Sequence, residues 1–523
     1  MTEIKGGVRE GEAHVAEFTE SGPERRARQA AEVLSDHDDD DETPTPKGKG
    51  RTAPCSDLWN AERFVKRHGS AVRFVSTWGA WLSWDGARWA ADAACGVEAL
   101  AKDTARDICE WSTTKLAEAI KSGNDDKRKR ADALVKWATK SQGAQRLAAM
   151  VQVARSTPSI AIRHTELDSD PMALNVANGT LDLRTGALRK HDPRDLLTRL
   201  APVAFDHKAT CPTLDAFLLR AMGGNAELVD YLARIVGYSL TGEVREHVLA
   251  FFFGGGANGK STFLGVVRDL LGDYAAPASG GLLFNGKGEH PTALAALCGR
   301  RFVTCSEIQD GQQFDEALVK DLTGGDQITA RRMREDFWTF KPTHKLFLAG
   351  NHKPHVRGDD GGIWRRIKLV PWSVVIPEAE RDTHLPEKLR AELAGILAWA
   401  VRGCLAWQQR GLAEPQAVRD ATAAYRDESD TLGQFFRLTV QFERDASVTR
   451  KEIREAYELF CAENGSSPFV ATRFAQRLRE HGVTEKSIHV GPKCVNGWRG
   501  VRLMTEAERA AAQVWTAPKG GDS

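Results

Sequence analysis

The stretch LAFFFGGGANGKSTFLGVV, residues 249–267, decides how the largest part of this sequence folds. Gly254, four further residues and then Gly259-Lys260-Ser261 fill the G-x-x-x-x-G-K-[ST] template without a gap. The apolar run before it, VLAFFF at 248–253, predicts a buried parallel strand. The spacing of Phe263, Val266, Val267, Leu270 and Leu271 after it predicts a helix. Strand, glycine loop and helix in that order suit a phosphate. Glycines let several backbone N–H groups turn inward, and the helix start adds the positive end of its dipole. Lys260 would reach the outer phosphates, and the Ser261 hydroxyl would coordinate Mg²⁺. The expected nucleotide contacts are Gly254, Gly255, Gly256, Ala257, Asn258, Gly259, Lys260, Ser261 and Thr262, with ATP and Mg²⁺ as cofactors.

The 523 residues suffice for about three domains. Formal net charge is +1, so any nucleic-acid surface has to be a local concentration of charge. The nine cysteines include no C-x-x-C pair, which argues against a zinc site or a disulfide framework and for free thiols in a reducing cytoplasm. The N-terminus is too charged for a signal peptide, and the apolar runs are too short to span a bilayer. The expectation is a cytoplasmic protein with no membrane partner.

Composition and periodicity divide the chain into six segments. Residues 1–55 read as a disordered tail, with the acidic run DHDDDDE at 36–42 beside TPTPKGKG at 43–50. Residues 56–209 read as a mainly helical N-terminal domain. Its helical pattern over 97–150 is broken by a charged stretch at 121–130, and strands are expected at 72–75, at 81–84 and in a hairpin over 175–186. Residues 210–375 hold the nucleotide loop. Residues 376–429 read as a helical connector, with Leu389, Leu393, Ile396, Leu397 and Val401 as its apolar stripe. In 430–505, a capping box at Thr449 and Glu452 opens one helix, a second helix ends at Gly482, and two strands follow. That order suggests a winged helix, with DNA favoured over protein as partner. Arg473 and Arg477 would contact DNA from the second helix, with Arg479 beside them and Lys486, Lys493, Arg499 and Arg502 on the wing. Residues 506–523 read as a flexible tail.

Further motifs follow the glycine loop. RFVTC at 301–305 is a strand run ending at Ser306-Glu307, where an acid can hold Mg²⁺ through water or polarise an attacking water. ITARRMREDFWTF at 328–340 reads as two short strands with Arg331, Arg332 and Arg334 at the exposed tip. KLFLAG at 345–350 is another buried strand, and it delivers Asn351 at its carboxyl end. Arg365 and Arg366 offer paired guanidiniums for a phosphate that gains charge during transfer.

Taken in order, GGGANGKST, SE, GGDQITARR, FKPTHKLFLAGNHKP and DDGGIWRR resemble a superfamily 3 helicase. More narrowly, they resemble the helicase half of phage and plasmid primase–helicases, which is related to the poxvirus primase-helicase. LNVANGTLDLRTGAL and DLWNAERFVKRHG resemble the domain that precedes the motor there, so the likeness runs from about residue 58 to 503. The resemblance implies a P-loop NTPase (AAA+-like) α/β core with an N-terminal mainly helical domain and a C-terminal winged helix. It implies a ring, usually a hexamer, with ATP between subunits and single-stranded DNA in the pore, acting in phage, prophage or plasmid replication in a bacterial host cell. By this likeness Lys260 and Ser261 serve phosphate and Mg²⁺, Glu307 is the Walker B acid and Asn351 the sensor. Either Arg365 or Arg366 is the arginine finger, and the hairpin around Arg332 grips the phosphodiester backbone. Two departures stand out. Many relatives have a second acid where this chain has Ser306. Fused relatives also carry a primase domain at the N-terminus, where this chain has about fifty-five residues of tail. Primase activity is therefore not expected, and a separate primase or origin-binding protein is the expected partner. The alternative reading is an ATP-switched origin-binding or loading factor that unwinds little.

Overall fold

The computed structural model describes residues 53–279, 281–286, 291–306, 308, 310–331, 337–356, 361–464 and 468–516. Two compact units emerge, one of residues up to Phe205 with Gly272–Tyr274, the other of Asp206–Leu271 with everything from Ala275 onward.

In the first unit, α1 (Asp57–His68) starts at Ser56, whose side chain accepts the Trp59 N–H. Strands β1 (Val72–Val75), β2 (Ala80–Trp84) and β3 (Trp89–Ala91) pair antiparallel. Helices α2 (Gly96–Lys121), α3 (Asp125–Ser141) and α4 (Ala144–Ala154) follow, and β4 (Ala161–Ile162) returns parallel to β1. Phe64, Val72, Val97, Ala101, Met150 and Ile160 close a core between helices and sheet. A second sheet is the antiparallel meander β5 (Ala173–Val176), β6 (Gly179–Asp182) and β7 (Ala187–Arg189). Seven short strands thus accompany the helices expected to dominate this region.

The expected break over 121–130 shrinks to residues 122–124. Asn124 accepts the Asp126 and Lys127 N–H groups and starts α3, so the charged residues ride on a helix. Charge without apolar spacing hides a helix from a periodicity reading. Here one cap and the buried Ala131, Ala138 and Ser141 are enough.

The second unit opens with α5 (Pro212–Ala221) and α6 (Ala226–Ser239). Its centre is a wholly parallel sheet ordered β14-β8-β13-β10-β9. The strands are β8 (Leu249–Phe253), β9 (Ala275–Pro277), β10 (Phe302–Cys305), β13 (Lys345–Gly350) and β14 (Ile367–Pro371). Helix α7 (Lys260–Leu271) carries the chain from central β8 to edge strand β9. The short α8 (Pro291–Ala295) and α9 (Glu316–Gly324) flank β10, and β11 (Ile328–Ala330) with β12 (Trp338–Phe340) make a separate antiparallel pair. The single turn α10 (Gly361–Trp364) precedes β14. Continuous burial of Leu249, Ala250, Phe251 and Phe252 is what a parallel strand covered on both faces requires. The protein is therefore a mixed α/β fold with helices around a parallel sheet.

Helices α11 (Leu385–Ala391), α12 (Leu393–Arg410) and α13 (Gln416–Ser429) come next. The expected stripe is split between the first two, with Leu389, Ile396, Leu397 and Val401 buried. The C-terminal part comprises α14 (Thr431–Thr439), β15 (Val440–Thr449), α15 (Arg450–Glu463), α16 (Ala471–Glu480), β16 (Thr484–Val490) and β17 (Lys493–Leu503). Thr449 and Glu452 form the expected reciprocal cap. Leu432, Phe435, Ile453, Tyr457, Phe474, Leu478 and Trp498 make its core. Helix α14 and strand β15 were not foreseen, and neither was α17 (Glu506–Thr516), which occupies most of the expected flexible tail. Thr505 and Glu508 exchange hydrogen bonds at its start, and Arg502 holds the same carboxylate. Among the described residues no helix is long and apolar enough to cross a membrane.

Candidate functional site

The glycine loop sits at the carboxyl end of β8, where β14 lies on one side and β13 on the other. Open parallel sheets gather ligand-binding groups at such an end. Two glycines are demanded by the fold. A Cβ on Gly254 would meet the Trp372 carbonyl oxygen, and Gly259 has φ +87° with Phe217 Cε2 2.5 Å from where its Cβ would stand. Gly255 and Gly256 have no neighbour within 4 Å of a notional Cβ, so internal packing does not explain them. Asn258, 3 % exposed, ties the loop together. Its amide nitrogen donates to Gly255 O at 2.6 Å and Trp372 O at 2.9 Å. The Ile376 N–H donates to Ala257 O at 2.9 Å. The segment leaving β14 therefore braces the loop from behind.

Lys260 begins α7 and turns its ammonium back into this loop. It donates to Gly254 O at 2.7 Å, Gly255 O at 3.0 Å, Asn258 Oδ1 at 3.0 Å and Asn351 Oδ1 at 3.3 Å. All four acceptors are neutral, and burial lowers its pKa from 10.5 to about 8. An approaching anion would favour the charged ammonium further. Ser261 is exposed and Thr262 half-buried on the same first turn.

Asn351 follows β13, whose terminal Gly350 leaves no room for a Cβ because Ile308 packs there. Ile308 belongs to the segment leaving β10, so the ends of the two neighbouring strands are pressed together. Glu307 lies outside the described residues. Asp310, three residues beyond it, is exposed and stands 3.6 Å from His352. The residues after Asn351 are held too. Lys353 pairs with Glu428 at 2.6 Å and lies over the Phe253 ring, and the Tyr425 hydroxyl donates to the Pro354 carbonyl. No sequence motif flagged Trp372, Phe217 or Tyr425.

The two arginines differ. Arg366 is 9 % exposed and donates to Thr323 Oγ1 at 3.0 Å and Gly362 O at 2.7 Å. These bonds hold its side chain inside the fold. Arg365 is exposed. Arg331 is exposed with its guanidinium 4.9 Å from the centre of the Phe337 ring, whereas Arg332 and Arg334 lie outside the described residues. In the C-terminal part, Arg473 lies 4.3 Å from the centre of the Phe469 ring and Arg477 pairs with Glu480 at 3.0 Å. Arg479 pairs with Glu485, Arg499 with Asp445 and Arg502 with Glu443 and Glu508. Much of the expected DNA-facing charge there is already matched.

A family described as D5 N terminal like matches residues 61–223, and a family of unknown function, DUF5906, matches residues 252–366. A putative helicase of Acanthamoeba polyphaga mimivirus is 28 % identical over 51 % of this chain and 30 % of its own length. A putative helicase of Frog virus 3 is 25 % identical over 65 % of this chain and 43 % of its own. A putative primase of African swine fever virus is 24 % identical over 65 % and 38 %. The chain spans less than half the length of these curated relatives. The apo structure of the NrS-1 C-terminal region (305–718) covers 85 % of this chain and 99 % of its own, at 10 % identity and a TM-score of 0.48. The sequence and family matches fit the primase-helicase resemblance: the chain is related to the D5-like viral helicases and primases.

Proposed function

We propose that this chain is an ATP-dependent DNA helicase motor that works in DNA replication. The observation that carries the reading is Lys260, whose ammonium is ringed by Gly254 O, Gly255 O, Asn258 and Asn351 at the carboxyl end of a parallel sheet. Loop N–H groups of residues 254–259 and the first turn of α7 would hold the phosphates, and the ammonium would neutralise the outer ones. Ser261 and, through water, Glu307 would hold Mg²⁺, which supplies electrostatic stabilisation of charge on the transferred phosphoryl group. Asn351 would orient the attacking water, since its amide oxygen already lies beside Lys260. Exposed Arg365 suits a finger that reaches a neighbouring subunit's nucleotide, within a ring that is the reading's hexamer. Single-stranded DNA would pass the β11–β12 hairpin, with Arg331 on one described flank. The C-terminal part is read as a winged helix that presents Arg473 and Arg477 to DNA.

The test is the ATPase rate with and without single-stranded DNA, for the wild type and Lys260→Ala. Stimulation by DNA that disappears in the variant is the expected result, followed by strand displacement. Turnover indifferent to DNA overturns the motor reading.

A further inference from the structure

We propose that the exposed face of α3 in the N-terminal unit is a second DNA-binding surface, one that grips the phosphodiester backbone. It goes beyond the motor reading and does not depend on Lys260. Residues 121–140 contain seven Lys or Arg and three Asp, in a chain whose net charge is only +1. The six cations on α3 are Lys127, Arg128, Lys129, Arg130, Lys136 and Lys140. Among the described residues none of them is ion-paired, although Asp125, Asp126 and Asp132 share the helix. The arginines of the C-terminal part are, by contrast, largely matched by carboxylates.

The geometry suits a polyanion. At 100° per residue Lys129, Lys136 and Lys140 fall within about 40° of one another, with small Ala133 between them, and all four are exposed. The rise puts Lys129 about 10 Å from Lys136 and Lys136 about 6 Å from Lys140, separations of the order of one to two phosphate steps along a strand. The opposite face is anchored. Ala131, Ala138 and Ser141 are buried, and Trp137 Nε1 donates to the fully buried Asn60 at 3.0 Å. A charged row on a fixed helix loses little entropy when it meets a backbone. Crowded like charges that the fold leaves unbalanced are relieved by an anionic partner.

The test uses the full chain and fluorescence anisotropy with labelled DNA of about 30 nucleotides, as single strand and as duplex, across a salt series. The Lys129→Gln/Lys136→Gln/Lys140→Gln variant should bind at least about tenfold more weakly at low salt. Its slope of log affinity against log salt should fall by about 2 for single strands and by nearly 3 for duplex, at roughly 0.7 and 0.9 per lost contact. The form that loses more identifies the strand state α3 holds. The corresponding triple Lys→Arg variant should keep wild-type affinity, and melting curves check that both variants fold. Lys260→Ala should retain the α3-dependent binding, which separates failure of this surface from failure of the motor reading. Affinity within twofold of wild type for the Gln variant, an unchanged slope, or equally tight α3-dependent capture of anionic lipid vesicles overturns the proposal.

Discussion

Replacing Lys260 by Met should leave the protein without nucleotide at least as stable as the wild type while abolishing its stabilisation by nucleotide. Burial lowers the Lys260 pKa from 10.5 to about 8. At about 1.36 kcal/mol per unit, holding the ammonium charged in the folded state costs at most about 3.4 kcal/mol. The loop opens to solvent at the exposed Gly255 and Gly256, and screening there reduces the figure to roughly 1–2 kcal/mol. The lost hydrogen bonds offset part of this, because the buried Asn258 oxygen loses its donor while the carbonyl of exposed Gly255 can turn to water. A net gain of about 1 kcal/mol at pH 7 remains.

The sign follows from linkage. A lysine whose folded pKa is depressed binds fewer protons folded than unfolded between about pH 8 and 10.5. Wild-type stability therefore rises across that window, and the advantage of Lys260→Met shrinks to nothing near its top. With Mg-ATP at a hundredfold excess over its dissociation constant, the wild type gains about 2.7 kcal/mol and the variant nothing, so their order reverses. Differential scanning fluorimetry at pH 7, 8 and 9.5, with and without Mg-ATP, reads all of this. A variant more than about 1 kcal/mol less stable without nucleotide would show that Lys260 serves the fold rather than a ligand. Undiminished stabilisation by Mg-ATP in the variant would place the nucleotide elsewhere.

Three further outcomes follow from the same geometry. ATP affinity in the wild type should be flat below about pH 8 and weaken by up to about tenfold per unit above it, as Lys260 loses its proton; calorimetric titration across pH 7–9.5 checks this, and a flat profile contradicts it. Gly259→Ala should lower the melting temperature, because φ +87° and the Phe217 ring oppose a side chain, whereas Gly255→Ala should melt normally yet bind nucleotide more weakly. Arg366→Ala should destabilise by about 1–3 kcal/mol by removing the buried donor to Thr323 Oγ1 and Gly362 O. Arg365→Ala should fold normally and lose turnover, and mixing it with Lys260→Ala should partly restore the rate if the arginine acts on a neighbouring subunit; equal melting curves for the two arginine variants would remove the distinction.

The β8–loop–α7 unit was legible because each signal in it is local. An apolar run, a glycine pattern and helical spacing lie within 19 residues of one another. Asn351 was legible for the same reason, as the first polar residue after a buried strand. What braces the loop was not, since Asn258 reaches Trp372, 114 residues away, and Phe217 approaches Gly259 from a helix that precedes β8. Arg365 and Arg366 are indistinguishable as a dipeptide. Only the position of Thr323, 43 residues upstream, commits one of them to the interior. The first turns of α3 and the whole of α17 escaped because their starts are set by polar side chains rather than by apolar periodicity.

Two lysines of the second unit show why perturbed ionisation alone does not locate a site. Lys345, 3 % exposed, has its pKa driven well below the ordinary value by burial. It stands at the start of β13, where it donates to the carbonyls of Thr241, Glu243 and Thr343, and buried Arg301 donates to Leu240 O. The carbonyls of Leu240, Thr241 and Glu243 lie just beyond the C-terminal end of α6, the negative end of a helix dipole, so the two cations act as a sealed cap. Lys260 also donates to carbonyls, but at the opposite edge of the same sheet, at a helix start and beside two exposed glycines that packing does not require. Strand β13 connects the two situations, with the structural lysine at its beginning and Asn351 just past its end. What separates a ligand-seeking ammonium from a fold-holding one is therefore which end of the parallel sheet it occupies and whether its partners are open to exchange. By both criteria Lys260 is the one that fits the proposed phosphate role.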